Sequence, residues 1–387
     1  MKLRVFVSLW QKKSWNLNSN VYIILILFLF FSCKGPAGLT DKTHNRINPD
    51  DIVIFPPPPD TPRIQFLTAI SNSRSVTIPR SKFAKYFLGS DEAKQFSKPY
   101  GISIRKGKIY ICDTGVRGLE IIDLEKRTFN YFVPPGRGQL ILPINCFVDE
   151  KEYLYISDAE RRQIIIFDEK RKYMASFGDT ALFKPTDVFV TDNKIWVTNI
   201  KNNRINVYDK DSIGKFLYSF PDAEYGSESY LYSPVSIHVT DDKVYVSDIG
   251  GYSVKVFGHD GKYLMTIGSY GKNPGQFVRN KGIAVDRDSN VYVVDAVFQN
   301  VQIFSKNGNL LMFFGGEYKG PGYMWLPAKV TIDYDNLKYF TKYVSPEFDL
   351  KFLILVTNQY GPDKINVYGF VEPAKTKKIK DSGFLDK

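Results

Sequence analysis

Six Asp or Asn residues recur along this 387-residue chain: Asp113, Asp158, Asn199, Asp248, Asp295 and Asn358. As a set they suggest carboxylate chemistry, either acid–base work or a hard-cation cage. Their setting argues otherwise. Each closes an apolar segment, where a short carboxylate or amide accepts backbone N–H groups and sets a turn. Other chemistry-bearing residues are sparse. The three His (His44, His238, His259) lie far apart, which counts against a His-based metal site. No Ser/His/Asp arrangement, phosphate-cradling Gly loop or CxxC pair can be placed, so neither a cofactor nor a metal is expected. Cys112 and Cys146 lie in apolar segments of neighbouring copies. They could bridge in an oxidising compartment, but two small buried thiols are the plainer reading.

The segments around these residues define a repeat. The interval is 14 positions in Pro99–Asp113, Pro185–Asn199 and Pro234–Asp248, and 15 in Pro143–Asp158. Asn280 stands 15 before Asp295, and a sixth, longer copy runs from Pro327 to Asn358. Six positions past each Asp or Asn an aliphatic residue returns (Leu119, Ile164, Ile205, Val254, Val301), with Ile365 at seven. Stretches such as Lys243–Ser247 and Arg204–Tyr208 alternate with period two and are strands. Several copies end on a fourth strand and a Gly (Gly178, Gly268, Gly315). One such four-stranded sheet cannot bury both faces, and radial stacking of copies solves that. Composition agrees: 29 Phe and 25 Tyr stand against 12 Ala, a balance suited to pleated, half-buried surfaces. A 43% hydrophobic content excludes a disordered chain.

The pattern resembles NHL repeats, which implies an all-β, six-bladed β-propeller of four-stranded antiparallel blades over residues 62–371. Upstream of the first copy, Pro62–Ile70 reads as an orphan strand. It is expected to supply the outer strand of the last blade and close the ring. A short helix fits near residues 80–95, and a Lys-rich tail over 372–387 reads as disordered.

The N-terminus reads as an address. Residues 1–20 are basic and polar, and residues 21–31 (VYIILILFLFF) are continuously apolar. Eleven residues at about 1.5 Å rise cover about half of a bilayer core, which fits a signal-peptide core better than a span. Ser32-Cys33 at its end resembles the lipobox of bacterial lipoproteins, although Phe30 stands where that family prefers Leu. The resemblance implies a signal peptide over 1–32, lipidation of Cys33 and anchoring at the cell envelope. Lys34 after the Cys points to the outer membrane. The alternatives are an ordinary cleaved signal or an uncleaved anchor. Residues 33–61, ending in Pro56–Pro59, read as a Pro-rich extended tether. The formal charge is +11, part of it in that leader. The remaining positives are scattered among 41 acids, so nucleic acid is not expected as a partner.

Within a propeller, the residues two after each Pro (Gly101, Asn145, Asp187, Ser236, Gly282, Lys329) surround the central channel. Calcium-dependent lactonases on related propellers draw oxygen ligands from such positions. Here only Asn145 and Asp187 fit, and Lys329 would repel the metal. Asn145, Asp187, Ser236 and Lys329 are therefore expected to form a polar channel mouth for water or a small ligand. Amidating lyases on such propellers hold zinc with several His, whereas His238 stands alone and is expected to be packed and hydrogen-bonded. The binding candidates are aromatic loops leading into blades four and six: Tyr225, Tyr230 and Tyr232, then Tyr318, Tyr323 and Trp325. Such rings bring large area at low entropic cost. Tyr339, Phe340, Tyr343 and Phe348 in the blade-six insertion extend that set, with gap-plugging as the blander role. The expected function is a non-enzymatic, membrane-anchored scaffold for a protein or glycan. A metal-dependent hydrolase or lyase at the channel is the alternative.

Overall fold

The computed structural model describes residues 52–79, 86, 92–178 and 180–374. The signal peptide, Cys33, most of the tether, most of the helix expected near 80–95 and residues 375–387 lie outside them. Among the described residues the chain folds into six antiparallel sheets. Their inner strands are Pro99–Arg105, Pro143–Val148, Pro185–Val190, Pro234–Val239, Asn280–Val285 and Pro327–Asp333. Five sheets have four strands each.

The sixth sheet has five strands and joins the two ends of the chain. Ile64–Ile70 pairs antiparallel with Ile365–Pro373, from Ile64 opposite Phe370 to Ile70 opposite Ile365. This is the closure read from the sequence. Ile64, Leu67 and Ile70 of this strand are buried, and each such side chain contributes about 1.5–3 kcal/mol. The tether differs from expectation. Ile54–Phe55 adds a short fifth strand against Ile64 and Gln65, and Phe55 packs in the core between blades five and six. At the other end, residues 372 and 373 continue the strand opposite Asp349 and Phe348 rather than starting a tail.

The core is divided among six hydrophobic clusters, each lying between neighbouring blades. Aromatic rings fill these wedges. Trp196 meets Phe220 at 6.3 Å, and Phe132 meets Phe167 at 5.0 Å edge-on, the tilted geometry that ring quadrupoles favour.

Candidate functional site

Every inner strand begins with its first residue paired to the repeated Asp or Asn: Pro99 to Asp113, Pro185 to Asn199, Asn280 to Asp295. This end of the ring is the Asp-turn face. The repeated side chains hold the loops leading into each blade. Asp113 accepts the N–H groups of Ser97 (2.7 Å), Lys98 (2.9 Å) and Gly115 (2.8 Å). Asp158 takes Ile141 (2.7 Å) and Leu142 (3.0 Å), and Asp295 takes Val278 (2.8 Å) and Arg279 (2.9 Å). They set turns, as read from the sequence.

The inner strands converge tightly. A Cβ on Gly101 would lie 2.5 Å from the Asn145 Cα, and one on Gly282 would lie 2.5 Å from the Lys329 Cα. Glycine at these two positions is the price of that approach. Asn145 is buried in the same contact, donating to the Thr186 carbonyl at 2.8 Å. At the expected polar mouth, three of the four side chains bond to one another across the ring as a polar plug. Lys329 from blade six crosses to Asp187 of blade three, and its ammonium also donates to Ser236 Oγ of blade four at 2.7 Å. Ser236 donates to Asp187 Oδ2 at 2.8 Å, which also accepts the Ile237 N–H at 3.0 Å. Asp187, Ser236 and Lys329 are all buried. A cation beside Asp187 is therefore already supplied by the chain. Buried charges persist when paired and hydrogen-bonded in this way.

Below the plug, towards the opposite face, a cavity of about 210 Å³ is lined by Ser103, Phe147, Phe189, His238 and Thr331. Phe189 packs 4.7 Å from Phe147 and 4.9 Å from His238. His238 is packed as expected, but it makes no hydrogen bond among the described residues. Burial, then the Lys329 charge, pushes its pKa down to about 3, so the ring is neutral at ordinary pH.

Above the plug lies a site the sequence reading missed. Lys281 of blade five is only 4% exposed. Its ammonium donates to Gln359 Oε1 at 2.9 Å and stands 5.3 Å from the Tyr100 ring of blade one. On the inner strand of blade six, between them, the matching position is Ala328, and that blade supplies Gln359. Burial, then the charges of Arg279 and Lys98, lowers the Lys281 pKa to about 8. Burial and the Asp187 charge push the Tyr100 hydroxyl up to about 12. The ordering signal is a register shift near the start of every inner strand, seen at Pro99/Ile102 and Asn280/Ile283. Such a bulge breaks strict alternation, so residues one and two past the strand start both reach the hub.

The aromatic candidates fall into two groups on the Asp-turn face, with no ring contact between them among the described residues. Tyr225, Tyr230 and Tyr232 form a trio at 4.9–5.6 Å, with Tyr225 81% exposed. Tyr318 lies 5.9 Å from Trp325, which is 49% exposed. Tyr323 is turned inward onto Phe55 at 6.1 Å and plugs the core edge. Three exposed positions were missed: Tyr270 and Tyr252, which pair at 4.8 Å, and Tyr360, which lies under Lys98 at 5.6 Å. The blade-six insertion does not belong to this face. It joins the first and second strands of its blade, at the opposite end from the Asp turns. There Phe340 and Tyr343 pack between blades six and one, Asn336 accepts the Gly107 N–H at 2.7 Å, and Tyr339 donates to Glu125 at 2.7 Å.

A second repeated position was also missed: the residue after each recurring aliphatic. Lys255 donates to the Glu228 carbonyl, Gln302 to Gln276 O at 2.9 Å, and Asn366 to Tyr323 O at 2.8 Å. Each ties down the loop leading into its own blade. Glu120 holds this place in blade one, buried and without a hydrogen-bond partner among the described residues. Burial, then the Asp113 charge, raises its pKa to about 9. Cys112 and Cys146 are buried free thiols, and Cys146 Sγ faces the Tyr110 carbonyl at 3.7 Å.

A family model described as a 6-bladed beta-propeller matches residues 224–377. No curated protein matches the chain. Among solved structures, a protein of unknown function from Bacteroides thetaiotaomicron is 15% identical, with a TM-score of 0.55, covering 80% of this chain and 76% of that one. A gluconolactonase from Xanthomonas campestris is 15% identical, with a TM-score of 0.50, covering 81% and 89%. A catalytically inactive virginiamycin B lyase from Staphylococcus aureus, solved with quinupristin, is 15% identical, with a TM-score of 0.50, covering 71% and 95%. At such identity the likeness speaks to fold alone, and with the strand pairing it establishes a six-bladed β-propeller.

Proposed function

We propose that the chain is a binding scaffold, anchored to the cell envelope through lipidated Cys33, that engages a protein or glycan with its Asp-turn face. The observation that carries the reading is an arc of exposed rings on the loops of blades four to six. Tyr225 is 81% exposed, Tyr270 65%, and Trp325 and Tyr360 49% each. Exposed aromatics on rigidly held loops are the residues that dominate recognition surfaces. The strand ladders, the Asp turns and the third-strand anchors hold these loops in place. Two assays test the proposal. Affinity capture from native membranes should recover a partner with the wild type and lose it with Tyr225→Ser, Trp325→Ser and Tyr360→Ser combined. Equal recovery by both proteins would overturn the docking face. Fatty-acid labelling should vanish in Cys33→Ala, and persistent labelling would remove the anchor.

A further inference from the structure

We propose that the hub of the Asp-turn face binds a small oxyanion, a carboxylate or phosphate group, between Lys281, Arg279 and Lys98 beside the Tyr100 hydroxyl. The first support is an incomplete hydrogen-bond set. An ammonium has three donors, and among the described residues the buried Lys281 has one acceptor, Gln359 Oε1. A buried cation ordinarily has a counter-charge. Among the described residues none forms an ion pair with Lys281, Arg279 or Lys98.

The second support is that further positive charge is gathered rather than dispersed. Arg279 sits two residues before Lys281, Lys98 leads into the blade that carries Tyr100, and both charges act on the Lys281 amine. Asp187, whose charge reaches Tyr100, is held by Lys329 and Ser236, and the two turn carboxylates beside Arg279 and Lys98 are otherwise engaged. Asp295 is occupied by the Val278 and Arg279 backbone N–H groups, and Asp113 by those of Ser97 and Lys98. The loops thus use their acids to shape the backbone and leave the side-chain cations without one. An ammonium beside a phenol ring, with the charges of a guanidinium and a second ammonium acting on it, is a donor set suited to carboxylate and phosphate oxygens. This site goes beyond the docking face, since it concerns a small anion at the hub and is read without any macromolecular partner.

Calorimetric titration of the detergent-solubilised full chain tests it, with inorganic phosphate and glucuronate as probes and glucose as control. One-site binding of either probe, weakened about ten-fold or more in Lys98→Ser/Arg279→Ser, is the expected result. Phosphate binding alone assigns a phosphoryl ligand, and glucuronate binding alone assigns a carboxylate ligand. Lys281→Met should abolish binding altogether. The double variant alters side chains at the surface rim, so it decides the matter even if Lys281→Met misfolds. Absence of heat from both probes at about 10 mM, equal binding of glucose, or unchanged binding in the double variant would overturn the site.

Discussion

Lys329 and Lys281 are two buried lysines on neighbouring inner strands of the same hub, and they differ in one respect. Lys329 reaches across the ring to Asp187 and Ser236, and that acid is further held by the Ile237 N–H. Lys281, at the level above, has an amide oxygen and an aromatic face. The chain supplies the anion for one and not for the other. Where the partner is built in, the lysine works as a strut joining blades three, four and six. Where it is missing, the same side chain becomes a receptor. Charge burial alone does not separate structure from recognition in this propeller, but the count of satisfied donors does.

The sharpest way to break the comparison is to remove the paired lysine. Lys329→Met leaves the Asp187 carboxylate buried without its cation, and breaking such a pair costs about 3–5 kcal/mol. Chemical denaturation should register that loss. The double variant Lys329→Met/Asp187→Leu should lose less than the single one, because no uncompensated charge remains. A single variant as stable as the wild type would mean the plug is not a strut.

Glu120 offers the same comparison with opposite charge. It is a buried acid whose pKa is raised to about 9, so the fold accepts its neutral form. For a raised folded pKa, stability is fully present below the ordinary value of 4.5 and falls as pH rises towards about 9. Glu120→Gln keeps the shape and removes the titration. Thermal melts should therefore coincide near the acid end and diverge upwards, by up to about 1.4 kcal/mol per pH unit. At neutral pH the variant should be the more stable by about 1–3 kcal/mol. Parallel profiles would show that the carboxyl finds a partner or water when charged.

The repeat made most of this legible in advance. The Pro-to-Asp interval located four inner strands, and the same pattern with Asn280 in place of Pro and with a longer sixth copy located the other two; the orphan strand at Ile64–Ile70 was visible because it alternates and had no sheet. Ile54–Phe55 was not, because a two-residue strand among prolines carries no periodicity. The polar ring was read without its bonds: side-chain types say that Asp187 and Lys329 share a level, not that they meet across it. Lys281 and Tyr100 escaped because strict alternation points them away from the channel, and the bulges at the strand starts reverse that. Of the two roles read for the insertion rings, the structure gives Phe340 and Tyr343 the gap-plugging one, and strand parity could have chosen it. A connection between first and second strands must emerge opposite the Asp turns.

The smallest expected effect belongs to the unpaired lysine, and it distinguishes a receptor from a strut. Lys281→Met keeps the apolar stem packed beside Tyr100 and removes a charge that the fold does not compensate. The variant should be as stable as the wild type or more so by about 1 kcal/mol, the opposite sign to Lys329→Met. The pH dependence follows from the lowered pKa. The wild-type deficit should be full below about pH 8, where the amine is charged in both states, and should close as pH approaches the ordinary lysine value of 10.5. Arg279 and Lys98 press on the amine in the same direction, and Tyr100 stays protonated through this range. Added phosphate or glucuronate should raise the melting temperature of the wild type and leave the variant unmoved, since only a ligand bound to the native state shifts that equilibrium. A loss of stability in Lys281→Met as large as that in Lys329→Met would make both lysines struts and end the distinction.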